Sequence, residues 1–307
     1  LSALSASLQH VVGADELVTA NALSTTAGAL ATTAGGGVAI GLRALLGGAS
    51  AGSYATTAAV AFLPYLVSAL LARRFPRHAL GPDDAQRAGR ESAAEIVRGL
   101  AAGVAHLRGR RPALLALGAI GVNRLCYGLF AVCAVLLFRN YYTAEGPLRV
   151  GLAGLAQLVG AVAIGGGLAA LVTPAASRRL GFVAWSSVLL ALAGVVQLVL
   201  VLPYRLPLHV AAALLLGFCA QGIKICVDTV VQRTVEDDFR GRVFAFYDML
   251  FNVALVTAAV VTALALPDDG YAPSSVVVVA AVYLLAAAGY ARAGGRQPVI
   301  AAEPTTV

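Results

Sequence analysis

The hydrophobic positions of this sequence form eight long, continuous runs that alternate with polar segments. At about 1.5 Å of rise per residue, each run is long enough to cross a hydrocarbon layer of about 30 Å as a tilted α-helix. Strands of a membrane β-barrel are only about 10 residues long and alternate in polarity, so helices fit the pattern better. The runs cover residues 20–42, 54–71, 113–138, 150–172, 182–202, 208–231, 243–266 and 274–291. The sequence therefore predicts an all-α membrane protein with eight transmembrane helices in this chain.

The composition agrees with this prediction. Of the 307 residues, 59% are hydrophobic and only 12% are charged, whereas charged residues make up about a quarter of an ordinary soluble domain. The net charge of +7 does not indicate a nucleic-acid partner, because the arginines lie between the apolar runs rather than along one exposed face. The expected partner is the lipid bilayer.

Residue types that often carry chemistry form no recognisable catalytic or metal-binding motif. The cysteines lie in apolar runs with no metal-ligand spacing, so we interpret them as small buried side chains and expect no metal or cofactor. The histidines pair with no serine or cysteine in a motif, and we interpret them as surface residues near helix ends. We therefore expect no enzyme activity. The residues are Cys126, Cys133, Cys219 and Cys226, and His10, His78, His106 and His209.

The arginines predict the orientation of the chain, because cytoplasmic loops of membrane proteins carry the excess of basic residues. The alternate loops and the tail that we assign to the cytoplasm contain Arg73, Arg74, Arg77, Arg87, Arg90, Arg98, Arg108, Arg110, Arg111, Arg178, Arg179, Arg233, Arg240, Arg242, Arg292 and Arg296. The opposite loops contain only Arg43, Arg139, Arg149 and Arg205. Both termini of the chain are therefore predicted to be cytoplasmic.

The long basic segment 73–112 divides the chain into two predicted membrane domains. Its second half has apolar residues at helical spacing, with glutamates before them and arginines after them, which predicts an amphipathic helix on the inner leaflet. The apolar stripe consists of Ile96, Val97, Leu100, Val104 and Leu107.

An internal repeat indicates two related bundles. Residues Gln9, Val12, Asp15 and Ala22 recur as Gln232, Val235, Asp238 and Ala245, always 223 positions later, and two apolar runs follow each copy. Since six runs lie in 113–291, the earlier half should also have six, and the chain should be a fragment. We assign 1–72 to the end of helix four with helices five and six, 73–112 to the central loop, 113–291 to a six-helix bundle and 292–307 to a cytoplasmic tail.

Four segments resemble the major facilitator superfamily, in particular its bacterial macrolide-efflux and siderophore-exporter branch. Segment 232–244, QRTVEDDFRGRVF, resembles the loop between helices ten and eleven. Segment 15–23, DELVTANAL, resembles the start of helix five, and segment 103–108, GVAHLR, with Arg111 and Pro112 resembles the start of helix seven. Pro174 with segment 177–181, SRRLG, resembles the loop between helices eight and nine.

This resemblance implies a twelve-helix fold of two six-helix bundles in the bacterial inner membrane. It also implies a secondary active transporter that exports a small molecule in exchange for protons by alternating access. A membrane scaffold or regulatory subunit without transport activity is the alternative interpretation.

Charged residues inside the apolar runs are the candidate functional residues, because a buried charge costs at least about 2.5–3.5 kcal/mol on insertion scales. Gln221, Lys224, Asp228 and Gln232 form one polar stripe at helical spacing, which cannot face lipid. Asn123, Arg124 and Tyr127 form a similar cluster. Counted from the cytoplasmic helix ends, Arg124 lies about 16 Å deep and Lys224 about 12 Å deep, whereas Asp248 and Asp228 lie about 8 Å and 6 Å deep.

The resemblance implies that these two helices, the seventh and tenth, line the central cavity. Our hypothesis is that Asn123, Arg124, Tyr127, Gln221 and Lys224 line a pocket for an anionic or amphiphilic substrate. Asp228, Asp248, Arg240 and Arg242 would then form a cytoplasmic gate.

Asp228 is the candidate for proton coupling, because burial favours a protonated carboxyl group and a nearby lysine favours the ionised one. The alternative is that Lys224 and Asp228 form an internal ion pair with no further role. Arg124 would still need an acid from elsewhere, backbone carbonyls, water or an anionic substrate.

The glycines of these runs are predicted to permit close helix packing rather than to bind phosphate, since no Walker-type lysine follows them. The pair Gly37 and Gly41 and the fourth run contain most of them, the latter as Gly151, Gly154, Gly160, Gly165, Gly166 and Gly167.

Overall fold

The structure is a computed structural model that describes residues 12–13, 16–45, 51–74, 93–142 and 152–294. These residues contain nine α-helices and no β-strand. A short π-helical segment extends α4 over Leu137–Tyr141 and α6 over Gln197–Val201. The helices are α1 Leu17–Leu45, α2 Ala51–Ala72, α3 Ala93–Gly109, α4 Arg111–Leu136, α5 Leu152–Leu180, α6 Phe182–Val196, α7 Leu206–Thr234, α8 Asp237–Ala265 and α9 Pro273–Gly294.

Seven helices of the described part are long and apolar enough to cross a membrane, which confirms the all-α membrane class. The predicted count of eight is one too high by this measure. The first run does form a helix, α1, but its threonines, serine and glycines make it less apolar than the other seven. Some of this polarity is satisfied within the helix, since Thr32 Oγ1 donates a hydrogen bond to the Gly28 carbonyl at 2.9 Å.

Two segments that the resemblance assigned to loops are largely helical. Helix α5 continues through Pro174 to Leu180, and only Gly181 separates it from α6. The two arginines in its last turn favour the negative end of the helix dipole, and Gly181 adopts φ +85°, which suits a residue without a Cβ. In segment 232–244 only Val235 and Glu236 lie between α7 and α8.

The closest helix crossing joins α5 and α7 and depends on two glycines. A Cβ added to Gly165 would overlap the Leu214 carbonyl, and one added to Gly217 would lie 2.5 Å from the Val162 carbonyl oxygen. A Cβ on Gly160 or Gly167 would meet nothing within 4 Å. The predicted packing role therefore holds for Gly165, but not for every glycine of the run.

One hydrophobic core joins helices α4 to α9, and α3 contributes Leu107 to it. Helix α3 packs against the start of α8. A Cβ added to Gly99 or Gly103 would lie 3.2–3.3 Å from Arg242, and the His106 ring stacks on Phe239 with 4.4 Å between ring centres. The helix predicted in this segment is thus present. Helix α1 packs against α5 and α7.

The outer surface is apolar, as expected for a protein surrounded by lipid. Helix α2 shows this most clearly, because no residue of its spanning window is buried and the window includes Phe62 at 62% and Tyr65 at 75% exposure.

The histidine prediction is wrong for His209, which is fully buried. Its Nδ1 atom lies 2.9 Å from the Tyr142 hydroxyl, and aromatic rings surround it. The four cysteines are free thiols, and three of them are buried. The predicted helix end at residues 1–11, the loop at 75–92 and the tail at 295–307 lie outside the described residues.

Candidate substrate and coupling site

Helix α4 places Asn123 and Arg124 side by side in the interior of the bundle. The Tyr283 hydroxyl of α9 donates to the Asn123 side-chain and main-chain oxygens, both at 3.4 Å. Asn123 is fully buried, and its Nδ2 atom has no hydrogen-bond partner in the described part of the chain. This leaves both N–H donors of the side-chain amide available to another group.

The Arg124 guanidinium lies against an aromatic face. Its Cζ atom is 4.1 Å from the centre of the Phe251 ring of α8, which is a cation–π distance. Its buried Nε atom has no hydrogen-bond partner, and no carboxylate forms an ion pair with it, within the residues that the structure describes. Tyr127 lies one turn along α4 from Arg124 and is half-buried.

The stripe on α7 contains a partly buried ion pair. Lys224 Nζ lies 2.5 Å from Asp228 Oδ2, with side-chain exposures of 17% and 0%. The internal pair considered as an alternative is therefore present, although it uses only one carboxylate oxygen. Asp228 Oδ1 is buried without a hydrogen-bond partner among the described residues. The ammonium group also lies 5.5 Å from the centre of the Tyr247 ring.

Tyr247 of α8 joins the two clusters. It is 4% exposed, and its hydroxyl lies beside the Asp228 carboxylate without forming a hydrogen bond of normal geometry within the described ranges. Electrostatic interactions connect it with both Asp228 and Arg124. Sequence reasoning missed Tyr247, Phe251 and Tyr283 because it selected polar residues of α4 and α7 and did not consider the rings of α8 and α9 that face them. The signal was available, since Tyr247 and Phe251 are four residues apart and share a helix face.

Four buried polar atoms without partners thus concentrate where α4, α7 and α8 meet. Each such atom costs about 1–3 kcal/mol in a folded protein, so they are few and usually have a reason. Here two of the atoms are nitrogen donors, one is a carboxylate oxygen that accepts, and one is a hydroxyl that can do either. They are Asn123 Nδ2, Arg124 Nε, Asp228 Oδ1 and Tyr247 Oη. The arrangement can bind an anionic or hydrogen-bonding group.

The remaining predicted gate residues, Arg240, Arg242 and Asp248, lie in the first half of α8. Arg240 Nη2 donates to the carbonyls of Gln232 at 3.4 Å and Val235 at 3.1 Å, which end α7. Arg242 packs on α3 and lies 5.8 Å from the Phe239 ring centre. Asp248 is half-buried on α8, where its carbonyl accepts from Asn252.

Helix α1 forms a polar contact with α7 that sequence reasoning did not find. Asn21 Nδ2 donates to Gln232 Oε1 at 2.6 Å and to Thr229 Oγ1 at 3.2 Å, and Gln232 Nε2 returns a bond to Asn21 Oδ1 at 3.2 Å. We call these three residues the α1–α7 polar contact. Gln221, predicted to line the pocket, donates to Thr26 of α1 at 3.4 Å. Two parts of the α7 stripe therefore face α1 rather than the charged cluster.

The fold and this cluster define a multi-pass membrane protein of the transporter class. No protein-family profile matches the chain. It is similar to an uncharacterized MFS-type transporter of Mycobacterium tuberculosis (strain H37Rv) and to one of Mycobacterium bovis. Each is 34% identical over 301 residues, which cover 97% of this chain and 67% of the relative. The chain belongs to the major facilitator superfamily.

The fold is also similar to the crystal structure of a bacterial homologue of the iron transporter ferroportin in an outward-facing state. The TM-score is 0.64 at 19% identity, covering 93% of this chain and 66% of the other. The chain thus spans about two thirds of the length of the proteins that it matches.

Proposed function

We propose that this chain is part of a secondary active transporter that exports a small molecule in exchange for protons by alternating access. It would act in the bacterial inner membrane with both chain termini in the cytoplasm. The observation that carries the proposal is the charged cluster of Arg124, Lys224 and Asp228 inside helices that are otherwise apolar. Such charges inside a membrane are costly and mark substrate or ion pathways.

The charge of the cluster supports an anionic or amphiphilic substrate. Arg124 and Lys224 contribute two positive charges against the single carboxylate of Asp228, which leaves a net charge of +1 at this point. The predicted pocket of Asn123, Arg124, Tyr127, Gln221 and Lys224 would place donors around a bound anion. Phe251 would contact an apolar part of the same molecule, since its ring already covers the guanidinium.

The geometry of Asp228 supports the coupling role. The carboxylate is fully buried and bonds Lys224 through one oxygen only, so protonation would cost one ion pair and would release the ammonium group. The ion pair holds Lys224 in the pocket, so its loss would let the ammonium group leave that position and would weaken substrate binding. Exchange requires proton and substrate binding to oppose each other, so protonation of Asp228 from the outer side would favour substrate release, and deprotonation toward the cytoplasm would restore the pocket.

The α1–α7 polar contact supports alternating access, because it joins a helix of the first predicted bundle, 1–72, to the second, 113–291. It closes the end of the helices that carries Arg178 and Arg233. Asp228 and Asp248 with Arg240 and Arg242 would complete the gate at this end. Rocking of the two bundles would break the contact and open the pocket toward that side.

The experiment measures dye export from cells that carry the gene, with the proton gradient intact or collapsed by an uncoupler. Carboxyfluorescein is the anionic probe and ethidium the cationic one. We expect gene-dependent export of carboxyfluorescein that Arg124→Gln reduces at least tenfold, and Asp228→Asn should abolish its response to the uncoupler. The matched control is Asp269→Asn, which removes an exposed carboxylate from the turn between α8 and α9.

Gradient-driven export by Asp228→Asn that matches the unaltered protein would rule out the coupling role. Export of neither dye, with the protein present in the membrane, would favour the scaffold or regulatory alternative.

A further inference from the structure

A cavity lies in the half of the bundle away from Arg178 and Arg233. Its volume is about 290 Å³, and α4, α7, α8, α9 and the π-helical end of α6 surround it. The walls are mainly apolar and include Leu129, Phe130, Val276 and Val279. None of the residues of the charged cluster lines it, so it is separate from the candidate transport site.

Three residues of this cavity have a buried polar atom without a hydrogen-bond partner in the described part of the chain. They are Gln197, His209 and Thr262, which are 2%, 0% and 1% exposed. The unpartnered atoms are Gln197 Nε2, His209 Nε2 and Thr262 Oγ1. They come from three different elements, the end of α6, the start of α7 and the end of α8, so local helix geometry does not explain their convergence. A bound group that restores these bonds would recover part of their desolvation cost.

We propose that this cavity is a binding site for a small, neutral, mainly apolar molecule that carries one hydroxyl or carbonyl group. The apolar walls favour a hydrocarbon body, and no charged side chain lines the cavity to balance an ionic one. Thr262 and Gln197 supply donors for an oxygen, and Thr262 also accepts from a hydroxyl. His209 is fixed through Nδ1 by the Tyr142 hydroxyl, which leaves Nε2 as the polar atom that can respond to a ligand.

Access is from the bilayer. Val261 of α8 and Val278 of α9 line the cavity and are 41% and 60% exposed on the apolar outer surface. A molecule dissolved in the lipid can therefore reach the cavity between these helices. The three polar atoms are themselves covered by neighbouring groups, so the ligand engages them through small side-chain rotations.

The experiment uses a diazirine-bearing eight-carbon alcohol as a photoreactive probe on the protein in lipid nanodiscs, with labelled peptides identified by mass spectrometry. We expect labels on α4, α8 and α9 at the cavity residues. Excess 1-octanol should remove the labels, whereas octane should compete about 5- to 10-fold less well, as expected for the loss of one or more buried hydrogen bonds. Equal competition by octane, or labels spread evenly over the lipid-facing surface, would overturn the proposal.

Two variants separate binding from folding. Thr262→Val preserves shape and should weaken 1-octanol competition about fivefold, whereas the matched control Thr257→Val, on the exposed face of α8, should leave it unchanged. Ala265→Phe fills the exposed rim of the cavity and should abolish labelling without a change in melting temperature. Unchanged labelling of Ala265→Phe together with unchanged competition in Thr262→Val would overturn the proposal, because the probe would then bind outside the cavity. A neutral lipid that co-purifies with the protein and is displaced by 1-octanol would identify the bilayer as the natural source of the ligand. If 1-octanol displaces no lipid, the ligand would be a small molecule from the aqueous phase.

Discussion

Loss of the Asn21 side chain should open the gate end of the two helix groups. Asn21→Ala removes three hydrogen bonds between α1 and α7 and leaves the buried Gln232 amide without those partners. At about 0.5–1.5 kcal/mol for each bond, and with water replacing some of them in the open state, the closed state loses roughly 2 kcal/mol. The ratio of closed to open molecules should therefore fall about 30-fold.

Spin labels on the exposed residues Thr19 of α1 and Arg178 of α5 would report the distance between these helices by double electron–electron resonance spectroscopy. The unaltered protein should give one short distance, and Asn21→Ala should add a second, longer one. Asn252→Ala is the control, because Asn252 is exposed and its recorded bond goes to Asp248 on its own helix. A distance distribution that Asn21→Ala leaves unchanged would refute the idea that this contact holds the helices together.

Three further predictions concern stability in detergent. Gly165→Ala should destabilise by at least about 3 kcal/mol because the new Cβ overlaps α7, whereas Gly160→Ala should be tolerated; thermal unfolding monitored through the single tryptophan checks both. Lys224→Met should cost about 3–5 kcal/mol by leaving the buried carboxylate unpaired, and adding Asp228→Asn should recover most of that loss in a double-mutant cycle. Arg110→Gln removes a pair with both side chains exposed and should change stability by less than about 1 kcal/mol.

The membrane class and most helix positions followed from the sequence, because each apolar run is long enough to span a bilayer and polar segments mark where it begins and ends. The ends of α5 did not follow. Hydropathy falls at Pro174, yet the backbone stays helical to Leu180 because arginines are favourable in a last turn. Helix ends thus depend on dipole and backbone preferences that a hydropathy pattern does not contain.

The candidate site was predictable in part. The charges of Arg124, Lys224 and Asp228 stood out because they interrupt apolar runs, and the i,i+4 spacing of the last two predicted their pairing. Asn21 did not stand out, because its role depends on which helix crosses α7. His209 was assigned to the surface because it lies near a helix end, but Tyr142 from a distant part of the chain covers it.

The attachment of α3 to α8 gives α3, which the sequence predicts to lie on the inner leaflet, a mechanical connection to the charged cluster. Arg242 of α8 packs against Gly99 and Gly103 of α3. Tyr247 lies about 7.5 Å further along α8, beside Lys224. A displacement of α3, for example when the lipid surface beneath it gains negative charge, would push or rotate α8 and so shift the rings that face both cations. The membrane surface would then tune the strength with which the interior holds its cargo, without touching the pocket.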